Sequence, residues 1–220
     1  MKNLIALVHR LQPILAFQIF TIYLRYLLGG AFIMAAFGMG KISGSAIPIA
    51  SLDEPIQNLG PVQLFFRVMV ESGFYWDFIG WAQLAAGVLL MTHRFAALGA
   101  ALFFGMMLNI FIITVSYNFT GTPFITGLML LATIYLLLWE VDKWQFFFIK
   151  PSKENLVSPP VLSAIDQPYW IILGFVLIAD ILFCVFFKLD FLVQLGSCFG
   201  VGFVGFVIFL LKRRYLVSVL

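Results

Sequence analysis

The residues able to do chemistry in this chain are few, and most stand where hydrocarbon is expected. Arg25, Gln83, Asn109 and Asp180 each fall inside a long apolar run, and Glu140 closes another. Charged and amide groups inside a bilayer are costly, and they turn toward partners, backbone or a wet cavity. These five residues are therefore the candidate intramembrane polar cluster or ligand pocket. Arg25 is the basic residue set deepest in a run, and three partners are open to it. It could snorkel to water and phosphate at the membrane surface, meet Glu140 or Asp142 at the end of the fourth run, or meet Asp180, alone or through Gln83. Asp180 is the favoured expectation, because a lone aspartate in hydrocarbon needs a compensating group. Such a pair either fixes which helices adjoin or lines a ligand or proton pocket. Asn109 suits an interhelical hydrogen bond. Lys41, Glu71 and Asp77, beyond or at the far ends of their runs, make a second expected cluster, an outer polar one.

Other chemistries find no footing in the residue pattern. His9 and His93 stand far apart in sequence, and no Cys/His spacing suits a metal. Cys184 and Cys198 sit in apolar runs and read as small buried hydrophobes. There is no Ser/His/Asp set, no paired catalytic carboxylates and no phosphate-binding loop. No catalytic or metal-ligating residue is assigned, and no cofactor is expected beyond a possible quinone or lipid.

The elements that must hold these groups are membrane helices. The chain is 63% hydrophobic and only 10% charged, where soluble domains carry about 25% charge. Apolar runs at residues 17–40, 74–91, 95–116, 123–139, 169–187 and 191–211 are each near the ~20 residues that cross a bilayer. The expected fold is all-α, a polytopic bundle of six spans. In the first span Gly29, Ala36 and Gly40 follow Arg25 at helical spacing, a small-residue face that lets the second and third spans approach. Before it, residues 1–16 read as a short amphipathic helix lying in the interface, with Leu4, Ile5, Val8 and Leu11 on one side. Residues 42–73 form an outer loop in which Pro61 opens a short helix, and residues 144–168 form a polar linker.

Charge placement sets the expected orientation. With the N-terminus inside, the inner segments hold Lys2, Arg10, Arg94, Lys143, Lys150, Lys153, Lys212, Arg213 and Arg214, against Lys41, Arg67 and Lys188 outside. Nine against three puts both termini in the cytoplasm. The net charge of +3 is accounted for by these span edges and calls for no nucleic-acid partner. Nothing points to a eukaryotic secretory route, so the sequon Asn118-Phe119-Thr120 is read as chance and a bacterial inner membrane as the location. Membrane lipids are the first partners. Gly196, Gly200 and Gly205 of the last span offer close packing to the bundle, to another membrane protein or to a second copy.

Several motifs carry a family resemblance. They are Arg25-x-x-Leu28-Gly29 and Phe37-Gly38-x-Gly40-Lys41 in the first span, and Ile79-Gly80-Trp81-x-Gln83-x-x-Ala86-Gly87-x-Leu89-Leu90 in the second. The basic turn His93-Arg94-Phe95 and the start Ala96-Ala97-Leu98-Gly99 of the third span complete them. Residues 17–143 resemble the DoxX-like family of small membrane proteins. The resemblance implies a four-helix membrane core, to which the hairpin at residues 169–214 is an addition. Members of that family often carry a glutamate where this chain has Gln83, so the hairpin's Asp180 is expected to supply the missing counter-charge. The family is functionally mixed, and fold does not carry function with it. The leading expectation is a non-catalytic accessory or assembly subunit that binds a partner membrane protein or a lipid-like ligand. The alternative is a subunit of a quinone-linked membrane oxidoreductase.

Overall fold

The computed structural model describes residues 2–42, 55–148 and 168–218. The expected outer loop and linker fall outside the described residues at 43–54 and 149–167. Among the described residues all regular structure is helical: α1 (Lys2–Leu11), α2 (Leu15–Phe37), α3 (Pro61–Glu71), α4 (Phe74–Met91), α5 (Ala96–Ser116), α6 (Thr122–Trp139), α7 (Val141–Phe148), α8 (Pro168–Phe186) and α9 (Phe191–Ser218). Six of them, α2, α4, α5, α6, α8 and α9, are long and apolar enough to cross a membrane. The chain is an all-α integral membrane protein.

Turn residues set where the spans begin. Gly73 and Gly121 precede α4 and α6 with positive φ angles of 58° and 76°, which glycine adopts without the steric penalty of a side chain. Pro61 sits in the first turn of α3, where a missing N–H costs nothing. The side-chain oxygen of Gln63 accepts the Gly60 N–H at 2.9 Å.

Helices α2, α4, α5 and α6 close into a four-membered ring in which α5 is diagonal to α2. Backbone contact between small residues sets the register. A Cβ on Gly29 would lie 2.8 Å from the Gly87 carbonyl oxygen, and one on Gly80 would lie 3.2 Å from that of Ala36. The α2 stripe thus packs on α4. The third span is met by a neighbouring face of α2 instead, where Phe32 stacks on Phe103 of α5 with ring centres 3.7 Å apart. Gly40, expected on the packed stripe, lies past the helix end with φ 66° and turns the chain back. Helices α5 and α6 are joined by the hydroxyls of Thr114 and Thr126 at 3.0 Å.

The terminal hairpin docks outside this ring. Helix α8 packs on α2 and α4, and α9 packs mainly on α8. Gly205 of α9 gives room to Leu173, whereas Gly196 and Gly200 face open space. The expected close-packing face of the last span is therefore split. Helix α1 is tied to the bundle as well: Gln12 donates to the Trp139 carbonyl at 3.0 Å, and His9 meets Asp142 at 2.8 Å. At the far end Phe65 and Phe66 of α3 lie against Tyr117 and Phe119 in the α5–α6 turn.

Candidate functional site

Arg25 is almost completely buried, at 1% exposure. Its guanidinium donates through Nη2 to Glu140 Oε1, just past the end of α6, and through Nη1 to His93 Nδ1 at 3.2 Å. Glu140 Oε2 also receives Lys143, one turn into α7, at 2.6 Å. His93 lies in the α4–α5 turn with φ 53°, a conformation uncommon for a residue with a side chain. It is held there by the polar contacts it makes. Its Nε2 lies 2.9 Å from the Tyr26 hydroxyl, and that hydroxyl donates to the backbone carbonyl of Trp170 at the start of α8.

The direction of these bonds follows from what each group can give. A guanidinium only donates, so His93 Nδ1 must accept. The proton of the neutral ring then sits on Nε2 and is donated to Tyr26, whose own proton goes to Trp170. The network runs two ways from Arg25, to Glu140 on one side and through His93 and Tyr26 into the hairpin on the other. It joins α6, α2, the α4–α5 turn and α8. The indole of Trp170 is fully buried among the rings of Tyr23, Tyr169 and Phe209, and its N–H has no hydrogen-bond acceptor among the described residues.

The expected Arg25–Asp180 pair does not form. Asp180 Oδ1 accepts from Ser197 of α9 at 2.6 Å, and its Oδ2 is buried without a partner among the described residues. The aspartate binds the two arms of the hairpin to each other, while the hairpin is joined to the core by Tyr26 and Trp170. Glu140 takes the counter-charge role, one of the partners open from the sequence. Gln83 is also misplaced by depth counted from helix ends. The Gly29–Gly87 and Ala36–Gly80 contacts put Gln83 opposite Ile33, two turns beyond Arg25. There its side-chain oxygen accepts from Lys41 Nζ at 3.0 Å.

Lys41 therefore leaves the expected outer cluster. It is buried, donates also to the Ala35 carbonyl at 2.8 Å, and lies 5.1 Å from the Trp76 ring centre. Burial pushes its amino group down to about 8. The glycine at position 80 makes this possible, since a Cβ there would lie 2.7 Å from Lys41 Cβ. Glu71 instead pairs with Arg67 on its own helix at 2.8 Å, and Asp77 is exposed in the first turn of α4. Asn109 is also apart from the cluster, exposed on the outward face of α5 with no side-chain hydrogen bond among the described residues.

The second feature is an apolar groove of about 1010 Å³ between α2 and the hairpin. It follows α2 from Ala16 to Phe37, and α8 and α9 form its other wall. Phe20, Leu27, Phe199 and Phe203 line it and are each more than half exposed, so it opens to the outside of the bundle. Tyr23 and Tyr26 also line it. The Tyr23 hydroxyl crosses to the Gly202 carbonyl at 2.7 Å. Tyr26 belongs to both features: its ring forms part of the wall, and its hydroxyl ends the polar chain.

Sequence reasoning missed His93, Tyr26 and Trp170 as members of one site. The signals were present but weak. His93 read as part of a basic turn, and Tyr26 and Trp170 are two among many aromatic residues of an apolar chain, with nothing in their spacing to single them out. No family model, curated protein or solved structure matches this chain.

Proposed function

We propose that this protein is a non-catalytic accessory or assembly subunit of a membrane that holds a lipid-like molecule in the groove between α2 and the α8–α9 hairpin. The groove carries the reading. From Ala16 to Phe37 it covers 21 helical steps, about 32 Å at 1.5 Å each, which matches the ~30 Å hydrocarbon core. A long acyl or isoprenoid chain fits such a shape, and the apolar walls remove it from neighbouring lipids without asking for polar partners. Lys212 and Arg213 close the membrane-spanning part of α9, six and seven residues after the lining Phe206. They suit an anionic head group at that surface. The nine-to-three distribution of basic residues supports a cytoplasmic placement of this end, and a bacterial inner membrane accommodates the topology. A reporter fused after Ser218 reads that orientation directly.

The quinone-linked alternative draws on the same groove, through one specific observation. The Tyr26 ring lines it, and the Tyr26 hydroxyl is bonded to His93 and so to Arg25. This is a polar relay beside an apolar chain site, the two parts a quinone would use. The resemblance to the DoxX-like family is compatible with either reading.

Extraction in mild detergent followed by intact-complex mass spectrometry tests the proposal. The expected result is one lipid-like molecule per chain, lost from Ala31→Trp, which fills the groove, while thermal unfolding shows that variant still folded. A folded protein that carries nothing, or a ligand that survives groove filling, overturns the proposal. A bound quinone with redox turnover would select the alternative.

A further inference from the structure

Helix α5 has one face that no described part of the chain covers. Leu98, Leu102, Gly105, Asn109, Ile112 and Ser116 are all exposed. They follow each other at steps of four, three, four, three and four, the spacing of a heptad seam. The residues that α5 buries in the ring, among them Ala96, Ala100, Phe103 and Met107, lie on the opposite side. A stripe of apolar residues could simply face lipid. Asn109 is what lipid does not explain.

Asn109 is thirteen steps past Ala96 and seven before Ser116. That places it about 20 Å from one end of α5 and about 10 Å from the other, inside a core of about 30 Å. Its side chain is too short to snorkel to the interface as lysine and arginine do. It has no hydrogen-bond partner among the described residues. At Gly105, one turn away on the same face, a Cβ would meet nothing within 4 Å. The backbone is open there to a second helix at close range.

We propose that the occupant of this face is α5 of a second copy, and that the protein is a dimer with its twofold axis along the membrane normal. Copies inserted by the same route share one orientation, so their α5 helices run parallel and Asn109 meets Asn109 at the same depth. A carboxamide both donates and accepts, so the residue is its own complement across a twofold. The heptad seam fits the left-handed crossing of about 20° common among membrane helices. Because α5 is diagonal to α2 in the ring, the dimer leaves the α2–α9 groove open. The proposal therefore stands or falls apart from the ligand reading.

Cysteine crosslinking tests it in a background carrying Cys184→Ala and Cys198→Ala. Leu102→Cys and Ile112→Cys, reconstituted in phosphatidylcholine–phosphatidylglycerol vesicles and oxidised, should give a crosslinked dimer. Phe175→Cys, exposed on α8, should not. Energy transfer between labelled copies, diluted with lipid, gives the association constant. Asn109→Leu should weaken it about threefold to thirtyfold, the range for one interhelical polar contact in a membrane. Gly105→Leu should weaken it without touching the amide. Absence of crosslinks at 102 and 112, equal crosslinking at 175, or an association constant unmoved by Asn109→Leu would each overturn the dimer.

Discussion

The Arg25–Glu140 pair offers the strongest test of how this bundle is held together. Both side chains are buried, Arg25 more deeply than Glu140. Breaking a buried pair from one side strands the other charge and costs about 3–5 kcal/mol. The two single losses should not be equal. In Arg25→Met, Glu140 keeps Lys143 at 2.6 Å, and that lysine is half exposed and free to adjust. The cost should fall near the lower figure, about 3 kcal/mol. In Glu140→Met, the guanidinium loses its carboxylate and keeps a neutral imidazole acceptor at 3.2 Å. The cost should approach the upper figure, about 5 kcal/mol. The double mutant replaces both charges by apolar chains of similar length. It should cost less than the sum of the singles by about 2–3 kcal/mol, the coupling expected of groups in direct contact. Denaturant unfolding in detergent micelles, followed by tryptophan fluorescence, measures all four proteins. Asp180→Leu supplies the control. Its carboxylate shares no partner with Arg25, so its effect should add to that of Arg25→Met within about 0.5 kcal/mol. Additivity of Arg25→Met with Glu140→Met, or strong coupling of Arg25 to Asp180, would refute the reasoning.

Two further outcomes follow from the packing and from the far end of the bundle. Gly29→Leu should destabilise by more than about 3 kcal/mol, beyond ordinary overpacking, since the first added carbon would lie 2.6 Å from Met91 Cγ and 2.8 Å from the Gly87 oxygen. Leu27→Phe on the exposed face should stay within about 0.5 kcal/mol, and equal tolerance of the two in thermal unfolding would remove α2 from the centre. Lys41 is held below its ordinary value of 10.5, at about 8. The unfolded chain therefore binds more protons between those values, and stability should rise with pH across that window. The gain should be about 3 kcal/mol in all, with the full penalty present below pH 8. A Lys41→Met variant should lose this slope in pH-dependent unfolding, and an unchanged slope would show that another group carries it.

The six spans were legible because length and hydropathy decide a membrane helix almost without help from the rest of the chain. The second span lies at Phe74–Met91 both in the sequence reading and in the structure, and the other five differ only near their ends. Partnerships of polar residues were less legible. Gln83 and Arg25 have similar depths when each is counted from the end of its own run. The glycine contacts at 29–87 and 36–80 shift α4 relative to α2, so that the α4–α5 turn comes level with Arg25. His93 is thereby brought to the arginine and Gln83 is carried away to Lys41. No residue type announces such a shift. It is set by which small residues meet, a pairwise property that one helix does not contain.

The same reasoning explains why Arg25 can be deep in its helix and still find a carboxylate from beyond a helix end. Helix α2 has 23 residues, and its neighbours α4 and α6 have 18 each. On the terminal side the longer helix extends past the end of α4. An arginine ten steps into α2 therefore has the α4–α5 turn beside it, and the reach of its side chain brings it to the residue that caps α6. Snorkelling toward the surface and pairing inside the protein then become one arrangement, because what the guanidinium meets on its way out is Glu140 rather than lipid phosphate. The chain of bonds continues through His93 and Tyr26 to the first turn of α8. Docking of the hairpin, and with it the shape of the groove that Tyr26 lines, is thus tied to an ion pair on the opposite side of α2. Loss of that pair should loosen the hairpin before it opens the four-helix ring, since α2 and α4 remain joined by the backbone contacts of Gly29 and Gly87.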